Sequence, residues 1–268
     1  MNARWTLHLC IVLLSSLLAG SFAHAGPAGT VTHVSGPLAA RRSDGALRVL
    51  SVNSAVEAGD TIITERRTYA RIRFLDGSDV TLKPETRFKV EEFSYKSDAP
   101  ADDRSVSSLV KGGLRAVSGQ IGKRGDPDRF RMKTPVATIG IRGTVFTIDY
   151  VEELPQTGEL VNPVLLAEAV SPGVVDAGRT LLAGTPGPAP GLYLHVINGL
   201  VNLSNLGGSM DFASGQFGHA PHSYHPPLRL PADPGFRFNP PPAFSQPPGG
   251  SGAGIPAGGN GPGECEVR

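Results

Sequence analysis

The sequence is poor in cysteine, in charged residues and in aromatic side chains. Its 268 residues include two cysteines, 18% charged residues and 6% aromatic residues. The 25 Lys and Arg nearly equal the 24 Asp and Glu, whereas a dedicated nucleic-acid binder needs an excess of positive charge to neutralise phosphates. The composition therefore argues against a nucleic-acid partner.

Long hydrophobic runs are absent outside the N-terminus. Arg4 precedes a mostly apolar stretch from Trp5 to Leu18, and Ala23-His24-Ala25 forms a small-x-small cleavage site, which is the pattern of a signal peptide. A run of about 14 residues is short for a membrane span. We therefore expect residues 1–25 to be cleaved, the mature chain to contain no transmembrane span, and the protein to be exported, periplasmic or extracellular. A retained N-terminal anchor is the alternative.

Cleavage would remove Cys10 and leave Cys265 as the single cysteine of the mature chain. Exported domains commonly use their oxidising compartment to form disulfides, and this one has no internal pair. Its stability must therefore come from a packed core. Two roles stay open for Cys265: an intermolecular disulfide, or a terminal thiol without function.

Glycine and proline are abundant, at 34 and 24 residues, and apolar residues alternate with polar ones instead of recurring at helical spacing. Residues 70–74 and 80–82 alternate in this way, and Asp76-Gly77 between them predicts a β-hairpin. We predict an all-β fold, a compact sandwich or roll of short strands with hairpin turns. The alternation places these side chains in the core: Phe74, Leu82, Phe88, Phe146 and Ile148.

Composition divides the mature chain into three parts. Residues 26–220 predict a β domain with a core at 29–150 and closing strands at 191–218, in which Asn198-Gly199 predicts a turn. Residues 151–190 are first acidic and then rich in Pro, Gly and Ala, and they predict a long insertion. Residues 221–268 predict a disordered Pro/Gly-rich tail, whose early part could dock on the sheet through Phe236, Phe238 and Phe244.

Short motifs along the chain follow the order of a known family. They are Gly59-Asp60, Asp76-Gly77, Thr134-Pro135-x-Ala137 and Arg142-Gly143-Thr144-x-Phe146. The sequence from Gly29 to Tyr150 resembles the FecR domain, named for the periplasmic part of a ferric-citrate regulator. The resemblance implies a non-enzymatic β domain of the bacterial cell envelope in which these motif residues are structural.

The best-understood relatives of that family cross the inner membrane and pass a signal from an outer-membrane receptor to a cytoplasmic sigma factor. This sequence departs from them because its hydrophobic run begins at Trp5 and has a cleavage site. We therefore expect a free-standing binding or signalling module of the envelope. Two alternatives remain, a structural envelope or scaffold protein tethered by its Pro/Gly tail, and a sigma-factor regulator relative with a retained anchor.

Basic residues concentrate between positions 111 and 142, where eight Lys and Arg stand against two Asp. Arg129, Arg131 and Lys133 alternate along a predicted strand and so share one face, and the Arg142 guanidinium is suited to a carboxylate or phosphate. These four are the predicted ligand-binding residues, for an envelope protein or an anionic ligand of unknown identity. The alternative is that the acidic insertion neutralises this row through Glu152, Glu153 and Glu159.

The sequence lacks the common motifs of catalysis: there is no GxSxG, no GxxxxGK[ST] and no HExxH. His219, His222 and His225 recur every three residues, which could align imidazoles on a polyproline helix. Structural zinc takes four ligands, and no further Cys or His is near in sequence. We predict no enzymatic activity, no cofactor and no metal site.

Overall fold

The computed structural model describes residues 26–123, 129–153 and 188–245. The predicted signal peptide, most of the predicted insertion and the end of the predicted tail lie outside these ranges. Within them, the strands are β1 (Pro27–Val34), β2 (Leu38–Arg41), β3 (Leu47–Leu50), β4 (Ala55–Glu57), β5 (Thr61–Thr64), β6 (Ala70–Phe74), β7 (Asp79–Leu82), β8 (Arg87–Ser94), β9 (Arg104–Val117), β10 (Phe130–Lys133), β11 (Thr138–Val151), β12 (Gly191–Asn205), β13 (Gly208–Ala213), β14 (Phe217–Ala220) and β15 (Leu228–Leu230). The helical elements of the same ranges are α1 (Gln120–Lys123) and 3₁₀ turns at Pro100–Asp102 and Pro242–Ser245. None of these helices is long and apolar enough to cross a membrane.

The fifteen strands form one hydrogen-bonded network. Its main path runs β15-β14-β12-β11-β10-β9-β7-β6-β1-β4, and β2, β3, β5 and β8 form a branch that joins it at β9. The first half of β9 pairs with β8 and β10, and its second half pairs with β7 and β11. A single long strand thus connects two regions of the network. The all-β prediction is confirmed.

The core forms where alternation predicts it. Phe146 and Leu82 have no exposed surface, Phe88 and Ile148 are 1% exposed, and Phe74 is 7% exposed. Phe74, Phe88, Phe146 and Ile148 stand at the buried positions of strands that alternate buried and more exposed residues, whereas all four residues of β7, which ends at Leu82, are buried. These residues and the side chains packed on them form one hydrophobic cluster that includes residues of β1 to β14.

Strand lengths differ from the expectation of short strands, because β9, β11 and β12 have 14, 14 and 15 residues. The turn predicted at Asn198-Gly199 is not formed, since β12 continues through it. Gly199 has a φ of 91° and lies opposite an irregularity of β11 between Arg142 and Val145. Glycine at positive φ therefore serves a β-bulge here and not a hairpin.

Part of the predicted tail packs against the sheet. Strand β15 pairs with β14, and residues 231–245, here called the C-terminal strap, continue from it. The Phe236 ring lies 4.5 Å from that of Tyr193, and the Phe238 and Phe244 rings each lie 6.2 Å from that of Tyr69. The three phenylalanines thus dock on the sheet, as the sequence suggested.

Candidate ligand-binding groove

Four neighbouring strands, β10 to β13, build a polar outer surface on the sheet. Their registers place Arg131 beside Gly140, Gly140 beside Asn202 and Asn202 beside Asp211. Residues at alternate positions on these strands point the other way and are buried; they include Met132, Ile139, Leu203 and Phe212. The packed inner face therefore fixes which polar side chains stand on the outer face.

This surface contains a groove with a volume of about 510 Å³. Two exposed arginines, Arg131 of β10 and Arg142 of β11, belong to its wall. Gly140 lies in the cross-strand row between Arg131 and Asn202 and has no side chain to fill the space. The complete lining is Arg131, Thr138, Gly140, Ile141, Arg142, Leu200, Asn202, Ser204 and Asp211.

A β-bulge determines where Arg142 points. The register of β11 against β12 shifts between Arg142 and Val145, and Gly143 has a φ of 60°. Ile141 is buried just before the shift and Thr144 just after it, so both Arg142 and Gly143 are exposed. The motif glycine thus allows the change in phase that brings the Arg142 side chain to the groove.

The opposite wall of the groove carries a carboxylate and an amide that are bonded to each other. The Asn202 Nδ2 donates to Asp211 Oδ1 at 2.6 Å and to Ser209 Oγ at 2.9 Å. Arg229 Nη2 donates to the Asp211 carbonyl oxygen at 3.3 Å. The lining therefore contains two guanidinium groups against one carboxylate, a balance that favours an anionic group with planar oxygen pairs.

The other two predicted binding residues lie outside the lining. Lys133 Nζ is 3.2 Å from Glu91 Oε2, and the pKa of Glu91 is lowered first by the hydrogen bond from the Ser108 hydroxyl and then by Lys133. The Arg129 guanidinium donates to the Pro100 carbonyl oxygen. The structure therefore brings together two of the four residues, Arg131 and Arg142.

Among the acidic residues considered as neutralising partners, Glu152 lies with its carboxylate 3.5 Å from Lys111 Nζ. Lys111 lies on β9 and does not belong to the groove lining, so Glu152 does not neutralise the groove arginines through it. Glu159 lies outside the described residues. The acidic neighbour of Lys133 is Glu91 of β8, which the sequence analysis did not consider.

The acidic motif residues hold turns. Asp76 is 2% exposed; its Oδ1 accepts from the Ser78 amide at 3.0 Å and from the Ser78 hydroxyl at 2.6 Å. The Asp76 carbonyl oxygen accepts from the Gln120 amide at 2.9 Å, which ties the β6–β7 hairpin, with Gly77 at φ 79°, to α1. Asp60, after Gly59 at φ 92°, accepts from the Glu57 amide at 2.9 Å and pairs with Arg48.

Residues of the two remaining motifs also form hydrogen bonds that fix the backbone. Thr134 Oγ1 accepts from the Ala137 amide at 3.0 Å, which closes the turn through Pro135 between β10 and β11. The Thr144 Oγ1 is buried without a partner among the described residues. Its amide donates to Ser118 Oγ and its carbonyl accepts from the Ser118 amide, both at 2.9 Å.

Sequence reasoning missed an ion pair that lies outside the groove lining. Lys83 Nζ lies 2.6 Å from Asp149 Oδ1, and the two side chains are 16% and 14% exposed. A side chain at Gly113, between them, would collide with the Asp149 carboxylate. Burial raises the pKa of Asp149, although Lys83 opposes the shift. The Phe236 ring of the strap lies 6.0 Å from Lys83 Nζ.

His219, His222 and His225 do not form a single cluster. His219 is buried, stacks on Tyr193 at 4.3 Å and lies 3.2 Å from the Pro190 carbonyl oxygen; burial lowers its pKa. The rings of His222 and His225 are 5.6 Å apart. No three His, Cys, Asp or Glu of the described ranges lie close enough to hold a metal ion.

Residues 60–159 match the family described as FecR protein. No curated protein matches the sequence. Two crystal structures of a candidate anti-sigma factor from Parabacteroides distasonis ATCC 8503 are 12% identical, with TM-scores of 0.41 and 0.40; each alignment covers 63% of this chain and 58% of that chain. A cell surface anchoring domain is 26% identical with a TM-score of 0.23, over 23% of this chain and 82% of that one. The chain thus spans 58% of the length of the first two structures.

Proposed function

We propose that this protein, whose residues 60–159 match the FecR family, is a non-enzymatic binding or signalling module of the bacterial cell envelope. The observation that carries the proposal is the groove in which Arg131 and Arg142 converge. The function of such a module is recognition: it needs a surface that selects a partner, and it needs no group that makes or breaks a bond.

The groove is suited to an acidic partner. A guanidinium donates two parallel hydrogen bonds to a carboxylate, and two guanidinium groups on neighbouring strands can bind two carboxylates of one ligand. The Asp211 carboxylate, which Asn202 orients through a hydrogen bond, repels a ligand that is negatively charged along its whole length. This combination favours a segment with acidic side chains at defined positions over a uniformly charged polymer.

The shape favours an extended ligand. A second cavity, of about 370 Å³, shares Thr138 and Ser204 with the groove and continues to Val136 and Leu206. From Val136 to Arg142 the β11 side of this path spans six residues, or roughly 20 Å at about 3.3 Å per residue. An extended peptide with carboxylates at the Arg131–Arg142 end and an apolar side chain near Val136 fits this layout.

Binding of a defined acidic peptide tests the site. Isothermal titration compares capped hexaglutamate with capped hexaglutamine, using the wild type, Arg131→Gln, Arg142→Gln and the control Arg87→Gln, whose exposed side chain lies on β8. Hydrogen bonds to charged groups contribute about 1.5–3 kcal/mol, so each groove variant should weaken hexaglutamate binding by about tenfold or more. An equal loss in Arg87→Gln, or no binding by the wild type, would contradict the assignment.

Charge reversal separates recognition from internal pairing. Changing Arg129 and Arg131 to Glu should abolish peptide binding and leave the melting temperature unchanged if the row serves recognition. A fall in melting temperature that is restored by changing its acidic neighbours to Lys would instead assign the row to internal charge pairing, as the sequence analysis considered.

Location distinguishes the module from the two alternatives. Cell fractionation and N-terminal sequencing should find a soluble envelope protein that starts at Gly26. Sedimentation with the wall or outer membrane would favour a scaffold tethered by the Pro/Gly tail. Recovery of residues 1–25 in the mature protein would favour an anchored regulator.

A further inference from the structure

Strand β3 lies at an open edge of the sheet. It pairs with β2 and with no other strand of the described ranges. Two of its side chains, Leu47 and Val49, are 68% and 87% exposed, and they share one face because they are two residues apart. An uncovered apolar edge is unusual, because proteins normally protect such strands with charge, proline or a covering segment.

The hydrogen-bond pattern shows which backbone groups face the open edge. The Arg42 amide donates to the Ala46 carbonyl at 2.9 Å, and the β2–β3 register continues as Arg41 with Leu47 and Ala39 with Val49. Bonded and non-bonded pairs alternate in an antiparallel ladder. Leu47 and Val49 therefore occupy non-bonded positions, and their N–H and C=O groups point away from β2.

The charge that would normally protect this edge is sequestered. Arg48 is the charged residue of β3, and its guanidinium pairs with the Asp60 carboxylate, which is 1% exposed. Asp60 belongs to the Gly59-Asp60 motif. The motif thus holds the cation on the side away from Leu47 and Val49 and neutralises it.

We propose that β3 pairs with β3 of a second copy of this chain, antiparallel across a two-fold axis at Arg48. Leu47 of one copy then lies opposite Val49 of the other, and the outward N–H and C=O groups of both residues form four hydrogen bonds. The four apolar side chains of Leu47 and Val49 lie together on one face. Each Arg48 stays paired with Asp60 of its own copy, so the axis does not bring two unpaired charges together.

The backbone selects this register over the next one. A two-fold axis at Val49 would pair Leu47 with Ser51 and would need the backbone N–H and C=O of Ser51 for hydrogen bonds to the second copy. Both groups are already used, because the Ser51 amide donates to Ser54 Oγ at 2.9 Å and its carbonyl accepts from the Ser54 amide at 3.0 Å. Pairing of four-residue strands buries less than the roughly 1,200–2,000 Å² of a stable complex. The dimer is therefore weak and forms at high local concentration.

Sedimentation velocity and amide hydrogen exchange of residues 26–268 test the proposal, with reductant present so that Cys265 cannot link two chains. From about 10 µM to about 1 mM the dimer fraction should rise, as expected for an interface of this small size. Over the same range the Leu47 and Val49 amides should gain protection, while the Arg48 amide, already bonded to β2, should not change. A monomer at every concentration would overturn the proposal.

Two variants of one position assign the dimer to β3. Val49→Pro removes an outward N–H and leaves the β2 ladder complete, and it should raise the dissociation constant at least tenfold. Val49→Lys keeps the backbone amide and places a charge at the edge. It should raise the dissociation constant as the proline variant does, and it serves as the test if the proline variant folds poorly. Leu75→Lys is the control, because the Leu75 side chain is 57% exposed and lies in the turn between β6 and β7, away from β3. It should dimerise as the wild type does. A dimer that persists in Val49→Lys would place the contact elsewhere.

Discussion

At the scale of single residues, the Lys83–Asp149 pair is a mostly buried ion pair whose loss should affect stability. The two residues are 66 positions apart and meet across Gly113 with an N–O distance of 2.6 Å. Burial raises the pKa of Asp149, so the folded state holds its proton more tightly than the unfolded chain does. This contribution favours folding at low pH and is lost as the pH rises from the unfolded value toward the raised folded pKa.

Replacing Lys83 with Met should therefore destabilise the protein in a pH-dependent way. The variant leaves a mostly buried carboxylate without its cation. We expect a loss of about 2–3 kcal/mol at pH 7, at or just below the lower limit of the roughly 3–5 kcal/mol for a fully buried pair, because both side chains keep some exposure. The loss should be smaller near pH 4, because protonated Asp149 carries no charge. Urea denaturation at both pH values measures the difference.

The exposed pair Lys96–Asp102, with an N–O distance of 3.4 Å, supplies the control. Lys96→Met should change the free energy of unfolding by under about 1 kcal/mol at either pH. If the two variants behave alike, the Lys83–Asp149 pair has no special energetic role.

Residue-level sequence reasoning succeeded where it depended on alternation. It placed Phe146 and Ile148 inside, and it predicted that Arg131 and Lys133 share a face, because side chains on a strand alternate regardless of its partners. It did not find the Lys83–Asp149 pair. That contact depends on which strands become neighbours, and no local pattern encodes this.

At the scale of elements, β11 and β12 change phase at the same place. Buried positions change from odd to even at Gly143 in β11 and from even to odd at Gly199 in β12. A Cβ at Gly199 would collide with the Gly143 carbonyl oxygen, so the two glycines lie in close contact. The groove depends on this double bulge, since Arg142 and Leu200 stand beside it.

Gly199→Ala should destabilise the domain through both backbone strain and the collision. Its φ of 91° is strained for alanine, and overpacking adds to the cost, so we expect a loss of about 2–4 kcal/mol. Gly215→Ala is a matched control: its φ is 80°, but open space surrounds it, and the loss should be about 1 kcal/mol. Thermal and urea unfolding compare the two, and equal losses would show that the close approach is not needed.

Gly199 also explains why the sequence predicted a hairpin turn where the structure has a β-bulge. Asn198-Gly199 has the composition of a tight hairpin turn, and only the pairing of β12 with β11 on both sides shows it to be a bulge. The location of Arg142 in the groove was unpredictable for that reason. A shift of one position sends a side chain to the other face, and the sequence does not mark where the shift occurs.

At the scale of the whole molecule, the strap joins parts of the sheet that are distant in the chain. Phe236 packs on Tyr193 of β12, while Phe244 lies 5.5 Å from the His33 ring of β1. Arg71 of β6 donates to the Phe244 carbonyl oxygen at 3.1 Å. The sequence indicated docking from three phenylalanines in a Pro/Gly-rich segment, but it could not say which strands they would reach.

Two truncations should therefore differ in effect. Deleting residues 247–268 should leave the unfolding transition unchanged, because the docking contacts are made by Phe236, Phe238 and Phe244. Deleting from Pro234 removes all three aromatic rings and uncovers the Lys83–Asp149 pair, and it should lower the free energy of unfolding by about 2–4 kcal/mol. Exposure to water should also lower the pKa of Asp149 toward its ordinary value, which a pH titration of the shorter chain would detect. Equal destabilisation by both truncations would mean that residues beyond 246 contribute to the folded domain, and no destabilisation by either would mean that the strap rests on a sheet that is already complete without it.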